Sequence, residues 1–247
     1  MGPSLSCPGP ATDGRNRRSS VLSLGVGTDD HGPMQIACVL YRPFTALDLV
    51  GAYQVFATWP DAKLELVAAT RDVVHDDIGV MSFTPTATFD EVVAPDVVVI
   101  PGSSQPLTSL GDEALLGWLR RVEPGAKWMT SVCTGAGLLA AAGLLAGRRC
   151  ATHWAYREVV AGMGAEVLAE RYVFDGKFVT GGGVTAGIDM ALALTARELG
   201  DATAKVVQLG LEYDPKPPFP GGTLETSEPG IVEAARAGLI AAASTSA

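Results

Sequence analysis

The sequence contains few of the groups that bind metal ions, nucleic acids or membranes. It has 247 residues with three histidines and four cysteines, and no two of the cysteines form a C-x-x-C pair. This spacing predicts neither a zinc site nor a disulfide framework, and it is typical of a reducing cytoplasm. Acidic residues outnumber basic ones by 27 to 18, whereas a nucleic-acid surface normally has a basic patch. No apolar run approaches the roughly 20 residues of a membrane span. We therefore expect a cytoplasmic protein that binds neither nucleic acids nor membranes.

Glycine-rich motifs that bind phosphate groups are also missing. The run Gly181, Gly182 and Gly183 does not belong to a G-x-G-x-x-G fingerprint, and no Walker A sequence occurs. The sequence therefore gives no reason to expect a nucleotide cofactor.

The composition favours one sizeable folded domain, because 47% of the residues are hydrophobic and 18% are charged. Residues 1–33 are rich in Gly, Pro, Ser and Arg without periodicity, which predicts a disordered N-terminal extension. A signal peptide is the alternative, since arginines precede a short apolar stretch there. Residues 34–241 are predicted to form an α/β domain, and residues 242–247 a flexible tail.

Strand and helix patterns alternate from residue 34 onwards. Residues 35–41 and 96–100 are nearly continuous apolar runs, typical of strands buried on both faces of a parallel sheet. Residues 78–89 are rich in β-branched residues and turns, which predicts a hairpin. The alternation predicts a parallel sheet with helices on both faces. Ligands bind such sheets at the carboxyl ends of the strands, where residues 42–47, residues 101–106 and Cys133 are expected.

One of these strand ends carries a cysteine. Residues 127–143 read KWMTSVCTGAGLLAAAG, a short β-type run that meets Cys133 and gives way at once to a helix pattern. At such a corner, the first N–H groups of the helix and its dipole favour the thiolate, which is the nucleophilic form of the side chain. The alternative is a small buried hydrophobe, because free cysteines are commonly buried.

Two residues are candidate partners of this thiol. Asp48 lies between two leucines at a predicted helix start, where it is either a helix-terminal charge or a desolvated acid/base with a raised pKa. Thr134 follows Cys133 directly, so that its N–H can stabilise an anion and its hydroxyl can bind a substrate or water. The alternative for Thr134 is ordinary hydrogen bonding at a helix start.

Two further segments are candidates for binding or orienting groups near the thiol. In the PGSS segment, Gly102 allows close backbone approach and the N–H of Ser103 is a candidate second anion donor, although a simple turn explains the segment equally. His153, in the segment ATHWAY, is a candidate orienting group or a structural histidine. We expect Cys38 and Cys150 to lie in the core.

Six segments carry a family resemblance. In chain order they read VLYRPFTALDLVGAYQVF, VVVIPGSS, TSVCTGAGLLAAAGLL, ATHWAY, VTGGGVTAGIDMAL and LEYDPKPPF. Together they resemble the ThiJ/PfpI superfamily, and within it the isonitrile hydratase branch. The resemblance implies a flavodoxin-like α/β three-layer sandwich with a mostly parallel sheet, of the class I glutamine amidotransferase type. It also implies a homodimer.

The same resemblance implies roles for the candidate residues. Cys133 would be the nucleophile, Asp48 its acidic partner and Thr134 an essential neighbour. The reaction would be hydration of a small apolar isonitrile to an N-substituted formamide through a cysteine thioimidate, with no metal or organic cofactor. Two departures stand out. Ser103 replaces a glycine that is usual in the family loop, and Thr134 stands where the protease-like branch has histidine, which argues against peptidase chemistry.

Other functions remain open on the same residues. Similar domains form the sensor half of AraC-type transcriptional regulators, so a stand-alone ligand or oxidation sensor is the main alternative. The last predicted helix ends close to the last residue of the sequence, so we expect no attached DNA-binding region. A third alternative is another enzymatic branch with glyoxalase-like or amidase-like chemistry.

Overall fold

The structure is a computed structural model that describes residues 33–244. All of the predicted N-terminal extension except Pro33 therefore lies outside the described residues, as do residues 245–247 of the predicted tail. The last helix extends past its predicted end at Ala241 and ends at Ser244. Within the described residues, no helix combines the length and the apolar character that a membrane crossing requires.

Residues 33–244 form eleven strands, seven α-helices and two short 3-10 turns. The strands are β1 (Gln35–Val39), β2 (Lys63–Ala68), β3 (Val74–His75), β4 (Ser82–Phe83), β5 (Ala87–Thr88), β6 (Val97–Ile100), β7 (Trp128–Ser131), β8 (Arg149–Cys150), β9 (Glu166–Val167), β10 (Tyr172–Asp175) and β11 (Phe178–Gly181). The helices are α1 (Ala46–Phe56), α2 (Glu113–Val122), α3 (Ala136–Ala141), α4 (Arg157–Gly162), α5 (Ala186–Leu199), α6 (Asp201–Gly210) and α7 (Pro229–Ser244), and the 3-10 turns are Cys133–Gly135 and Trp154–Tyr156.

A seven-stranded sheet in the order β10-β11-β7-β6-β1-β2-β5 forms the centre of the molecule. Its strands pair in parallel, except for the antiparallel hairpin of β10 and β11. Helices α1, α5 and α6 pack together, and α2, α3 and α4 pack together. The predicted flavodoxin-like three-layer α/β sandwich is confirmed.

Strand β6 explains why the sequence pattern predicts a parallel sheet. All four of its residues are fully buried, because β6 lies between β1 and β7 with helices above and below. The register joins Val99 to both Cys38 and Thr130. The chain leaves β1, β6 and β7 at the same edge of the sheet, where their following loops meet.

The hairpin predicted at residues 78–89 is only partly correct. The observed hairpin pairs β3 with β4, and it begins before residue 78. Its turn is closed by Asp76, whose carboxyl accepts hydrogen bonds from the N–H groups of Val80 and Met81 at 3.0 and 3.1 Å. Residues of β5, which the prediction included, instead join the edge of the central sheet beside β2.

Candidate active site

Cys133 occupies a strained corner between β7 and α3. Val132 is still extended, but the φ angle of Cys133 is 59°, in the left-handed region that residues other than glycine rarely adopt. A 3-10 turn, Cys133–Gly135, precedes α3, so the regular helix begins slightly later than predicted. A Cβ on Gly135 would lie 2.5 Å from the carbonyl oxygen of Ile100, so only glycine lets this turn pack against β6. Strain of this kind concentrates at functional sites.

Asp48 faces the same corner from the first turn of α1. Its side chain is fully buried, and Oδ2 accepts a hydrogen bond from the N–H of Gly102 at 2.9 Å. Oδ1 is also buried and has no hydrogen-bond partner among the described residues. A Cβ on Gly102 would lie 2.7 Å from Oδ2 and 2.6 Å from the backbone nitrogen of Thr134. Glycine is therefore required where the loop passes between Asp48 and Thr134.

The thiol and the carboxyl influence each other's proton affinity. Burial raises the pKa of Asp48 to about 7, and the hydrogen bond from Gly102 and the Cys133 thiol oppose that rise only in part. Burial, followed by the charge of Asp48, raises the pKa of the Cys133 thiol well above its ordinary value. The sequence predicts that the helix start favours the thiolate. This expectation is wrong for the net shift, because the pKa of the thiol is raised and not lowered. Hydrogen bonds from Thr134 do lower the pKa of the thiol, but burial outweighs them.

Thr134 joins the cysteine corner to the loop after β6. Its hydroxyl donates to the carbonyl oxygen of Ser103 at 3.0 Å and accepts from the N–H of Ser103 at 2.8 Å. The N–H of Ser103, the candidate second anion donor, is therefore bound to Thr134 in this structure, and the N–H of Gly102 is bound to Asp48. Ser103 does not adopt the left-handed conformation, and its hydroxyl accepts a hydrogen bond from the N–H of Gln105 at 2.9 Å. The side chain at this position therefore introduces no backbone strain.

His153 approaches the corner through its backbone. Its N–H donates to the carbonyl oxygen of Cys133 at 3.4 Å, and the hydroxyl of Thr152 donates to the same oxygen at 2.8 Å. The ring of His153 accepts from the N–H of Ala155 at 3.4 Å and packs beside Trp154. Burial and the charge of Arg157 lower the pKa of His153, so the ring is neutral at pH 7. The hydrogen bond and the aromatic neighbour of this ring thus lie within its own segment.

Three further residues, Tyr41, Asp77 and Tyr156, lie near the site. Tyr41 donates to the carbonyl oxygen of Pro101 at 2.8 Å, and its pKa is raised by burial and by the charges of Asp48, Cys133 and Asp77. Asp77 reaches the site from the hairpin of β3 and β4. Tyr156 is buried, its hydroxyl has no hydrogen-bond partner within residues 33–244, and burial raises its pKa to about 12. No motif singles out Tyr41 or Asp77, and only the position of Tyr41 just after a buried strand hints at a place near the site.

The arrangement suits proton exchange and nucleophilic addition. A carboxyl group with a pKa near neutrality can accept and return a proton at the operating pH, which is the requirement for general acid–base catalysis. The thiol beside it is the nucleophile that such a base activates. Within residues 33–244, no group of three or more His, Cys, Asp and Glu side chains is arranged to hold a metal ion. Cys38 and Cys150 are buried free thiols, as predicted.

Comparisons with known proteins find similarity over most of the chain. The isonitrile hydratase of Pseudomonas putida is 41% identical over 203 residues, which cover 82% of this chain and 89% of that protein. The crystal structure of a ThiJ/PfpI family protein from Pseudomonas syringae superposes with a TM-score of 0.79 at 36% identity. It covers 86% of this chain and 91% of that one.

A transcriptional regulator is similar over a shorter stretch. The HTH-type regulator CdhR of Pseudomonas aeruginosa is 31% identical over 128 residues, which cover 50% of this chain and 37% of that protein. The DJ-1/PfpI family model matches residues 34–197, a span that includes every candidate site residue described above. With its cysteine corner, its parallel sheet and this match, the chain belongs to the DJ-1/PfpI family.

Proposed function

We propose that this protein is an isonitrile hydratase, which converts an isonitrile and water to an N-substituted formamide. The observation that carries the proposal is the buried Asp48 carboxyl, with a pKa of about 7, beside the Cys133 thiol. The similarity to the Pseudomonas putida isonitrile hydratase supports the same reaction, because it extends over 89% of that protein. The proposed substrate is small and apolar, and the proposed location is the cytoplasm.

In the first half of the reaction, the Cys133 thiol adds across the terminal carbon of the isonitrile. The thiol proton passes to Asp48 and from there to the carbon, while sulfur forms a bond to the same carbon. R–N≡C thus becomes the thioimidate R–N=CH–S–Cys133 with no atom gained or lost. Thr134 supports the transient sulfur anion through its backbone N–H, whose hydrogen bond lowers the pKa of the thiol.

In the second half, Asp48 acts as a carboxylate towards water. It takes a proton from the water and passes it to the nitrogen, while the water oxygen bonds to the thioimidate carbon. The proton of the resulting hydroxyl group then reaches sulfur through Asp48, and the carbon–sulfur bond breaks. The products are R–NH–CHO and the original thiol. One proton carrier and one nucleophile are sufficient, so this scheme needs no cofactor.

The proposal is tested by turnover of cyclohexyl isocyanide to N-cyclohexylformamide by purified protein. We expect many turnovers per chain for the wild type and none for Cys133→Ala. Cys150→Ala is the matched control, because it removes another buried free thiol in the core. Circular dichroism checks that each variant is folded. A folded wild-type protein that yields no formamide would contradict the proposal for this substrate.

A stand-alone sensor is the second candidate function. The similarity to the regulator CdhR favours it, and a thioimidate that forms but does not hydrolyse would act as a ligand signal. An oxidation sensor is less well supported, because such cysteines have low pKa values whereas burial and Asp48 raise the pKa of Cys133. Repeated turnover in the formamide assay distinguishes the enzyme from the sensor.

A further inference from the structure

A second carboxylate reaches the site from the hairpin of β3 and β4. Oδ2 of Asp77 accepts a hydrogen bond from the hydroxyl of Thr45 at 2.6 Å and another from the N–H of Ser104 at 3.0 Å. The N–H of Asp77 donates to the carbonyl oxygen of Phe44 at 2.8 Å. One residue of the hairpin thus binds both the turn before α1 and the loop after β6.

These two segments are the ones that position Asp48. Thr45 directly precedes α1, and its N–H donates to the carbonyl oxygen of Gly102 at 2.8 Å. Its hydroxyl does not cap α1, although threonine commonly does so at this position, because the hydroxyl is bound to Asp77. Gly102 in turn donates its N–H to Asp48. The hydrogen bonds form a closed network through Asp77, Thr45, Gly102 and Ser104.

We propose that Asp77 is a positioning residue of this site, which fixes the Thr45 turn against the Gly102–Ser104 loop and places a second negative charge near Asp48. Its mechanistic consequence rests on the proposed function, since it concerns the acid–base partner of Cys133. The charge of Asp77 is one of the causes that raise the pKa of Asp48. Two nearby carboxylates oppose each other's ionisation, so Asp77 helps Asp48 to hold a proton near neutral pH.

Few charged groups surround Asp48, so the effect of Asp77 on its pKa can be measured separately. The titratable groups that interact with Asp48 are the Cys133 thiol on the cysteine corner, Asp77 on the hairpin and Tyr41 after β1. No cation is among the described groups that shift the pKa of Asp48. The Tyr41 phenol is neutral at pH 7, because burial and these charges raise its pKa. Removal of the Asp77 carboxylate should therefore lower the pKa of Asp48.

The test is the pH dependence of Cys133 alkylation by iodoacetamide, measured on the Cys133 peptide by mass spectrometry. With Asp48 as the base that takes the thiol proton, as proposed above, the alkylation rate rises with pH as Asp48 ionises. In Asp77→Asn, the amide oxygen can still accept both hydrogen bonds but the charge is lost. We expect the inflection of the rate profile to move to lower pH than in the wild type.

Asp76→Asn is the matched control on the same hairpin. The Asp76 carboxyl binds the N–H groups of Val80 and Met81 and is not among the groups that shift the pKa of Asp48. The alkylation rate profile of Asp76→Asn should have its inflection at the same pH as that of the wild type. Asp77→Ser removes the same charge with a smaller side chain, and it replaces Asp77→Asn if the latter does not fold. An unchanged or higher inflection in the folded charge-removing variant overturns the proposal.

Alkylation and turnover separate the two proposals. Iodoacetamide reacts without any isonitrile, so the inflection reports on Asp77 even if the wild type produces no formamide. If formamide forms, we also expect the acidic limb of kcat/KM to move to lower pH in Asp77→Asn. Asp77→Ala, which loses both hydrogen bonds as well, should lower kcat/KM by about tenfold or more, because small displacements of catalytic groups have such effects.

Discussion

At the scale of single residues, the candidate site pairs a buried thiol with a buried carboxyl group, and the proposed mechanism uses that carboxyl group as the base. Both groups are buried, so both charged forms are disfavoured, and the described groups around Asp48 include no cation that would relieve the penalty. The pair therefore retains a proton at neutral pH, when a separate exposed aspartate would be fully ionised. A retained proton is what addition to an isonitrile carbon needs, since that carbon must gain hydrogen as it gains sulfur.

The pH dependence of turnover follows from the pKa of Asp48. Because burial raises this pKa to about 7, the carboxylate that accepts protons from the thiol and from water is present mainly above that value. We expect kcat/KM for cyclohexyl isocyanide to rise with pH through an inflection near 7. A plateau that extends down to pH 5 would show that Asp48 is not the required base.

Asp48 should also lower the stability of the protein. Its pKa rises from 3.8 to about 7 on folding. The resulting loss of stability is absent below pH 3.8 and complete above pH 7, because the folded protein then contains an ionised buried carboxylate. Asp48→Asn keeps an oxygen that can accept the hydrogen bond from Gly102. We expect this variant to have a higher free energy of unfolding at pH 8, by up to about 4 kcal/mol, and a much smaller difference at pH 4.

Urea unfolding at the two pH values measures this effect. Asp112→Asn is a suitable control, because Asp112 caps α2 through a hydrogen bond from Leu115 and lies outside the site. An Asp48→Asn variant that is less stable than the wild type at pH 8 would contradict the assignment of a burial penalty to Asp48.

The candidate residues differ in how far the sequence could identify them. Cys133, Asp48 and Thr134 could be named as candidates because each stands at a boundary between elements, where polar groups are unusual among apolar neighbours, and their roles stay predictions. Asp77 was not, since it lies in a polar loop whose sequence resembles any exposed turn. Only the hairpin geometry brings it to Thr45 and Ser104.

At the scale of elements, the site is held together by the turn before α1, the loop after β6 and the turn of the β3–β4 hairpin. The loop after β6 passes between α1 and the cysteine corner so closely that its second residue must be glycine. Buried apolar runs made the parallel strands predictable. The start of the hairpin was not predictable, because β3 and β4 have only two residues each and their pairing depends on the turn that Asp76 closes.

Gly102→Ala tests this close approach. Its new Cβ would lie 2.6 Å from the backbone nitrogen of Thr134, so the loop must move away from Asp48 and Thr134. We expect a loss of at least about 100-fold in kcat/KM, as for other displaced catalytic groups, together with a lower melting temperature.

Gly117→Ala provides the matched control. Gly117 lies inside α2, and a Cβ there would meet no atom within 4 Å. Alanine should stabilise this helix by about 0.5–1 kcal/mol and leave turnover unchanged. If Gly102→Ala retains wild-type turnover, the tight packing of the loop is not needed for activity.

At the scale of the whole molecule, we propose a homodimer on the basis of the family resemblance. The hairpin that carries Asp77 also exposes three apolar side chains, Ile78, Val80 and Met81. Light scattering of the purified protein in 150 mM salt, a concentration that screens the charge repulsion between copies, should give the mass of two chains. The mass of a single chain over the whole accessible concentration range would contradict the dimer.

The central claim is that Cys133 forms a bond to the isonitrile carbon that water then breaks. The most direct measurement is quenched-flow mass spectrometry of the Cys133 peptide during turnover of cyclohexyl isocyanide. We predict that this peptide gains the mass of one intact isonitrile and loses it again at the rate at which formamide appears. Formamide produced without any modified Cys133 peptide, or an adduct that persists without formamide, would contradict the account.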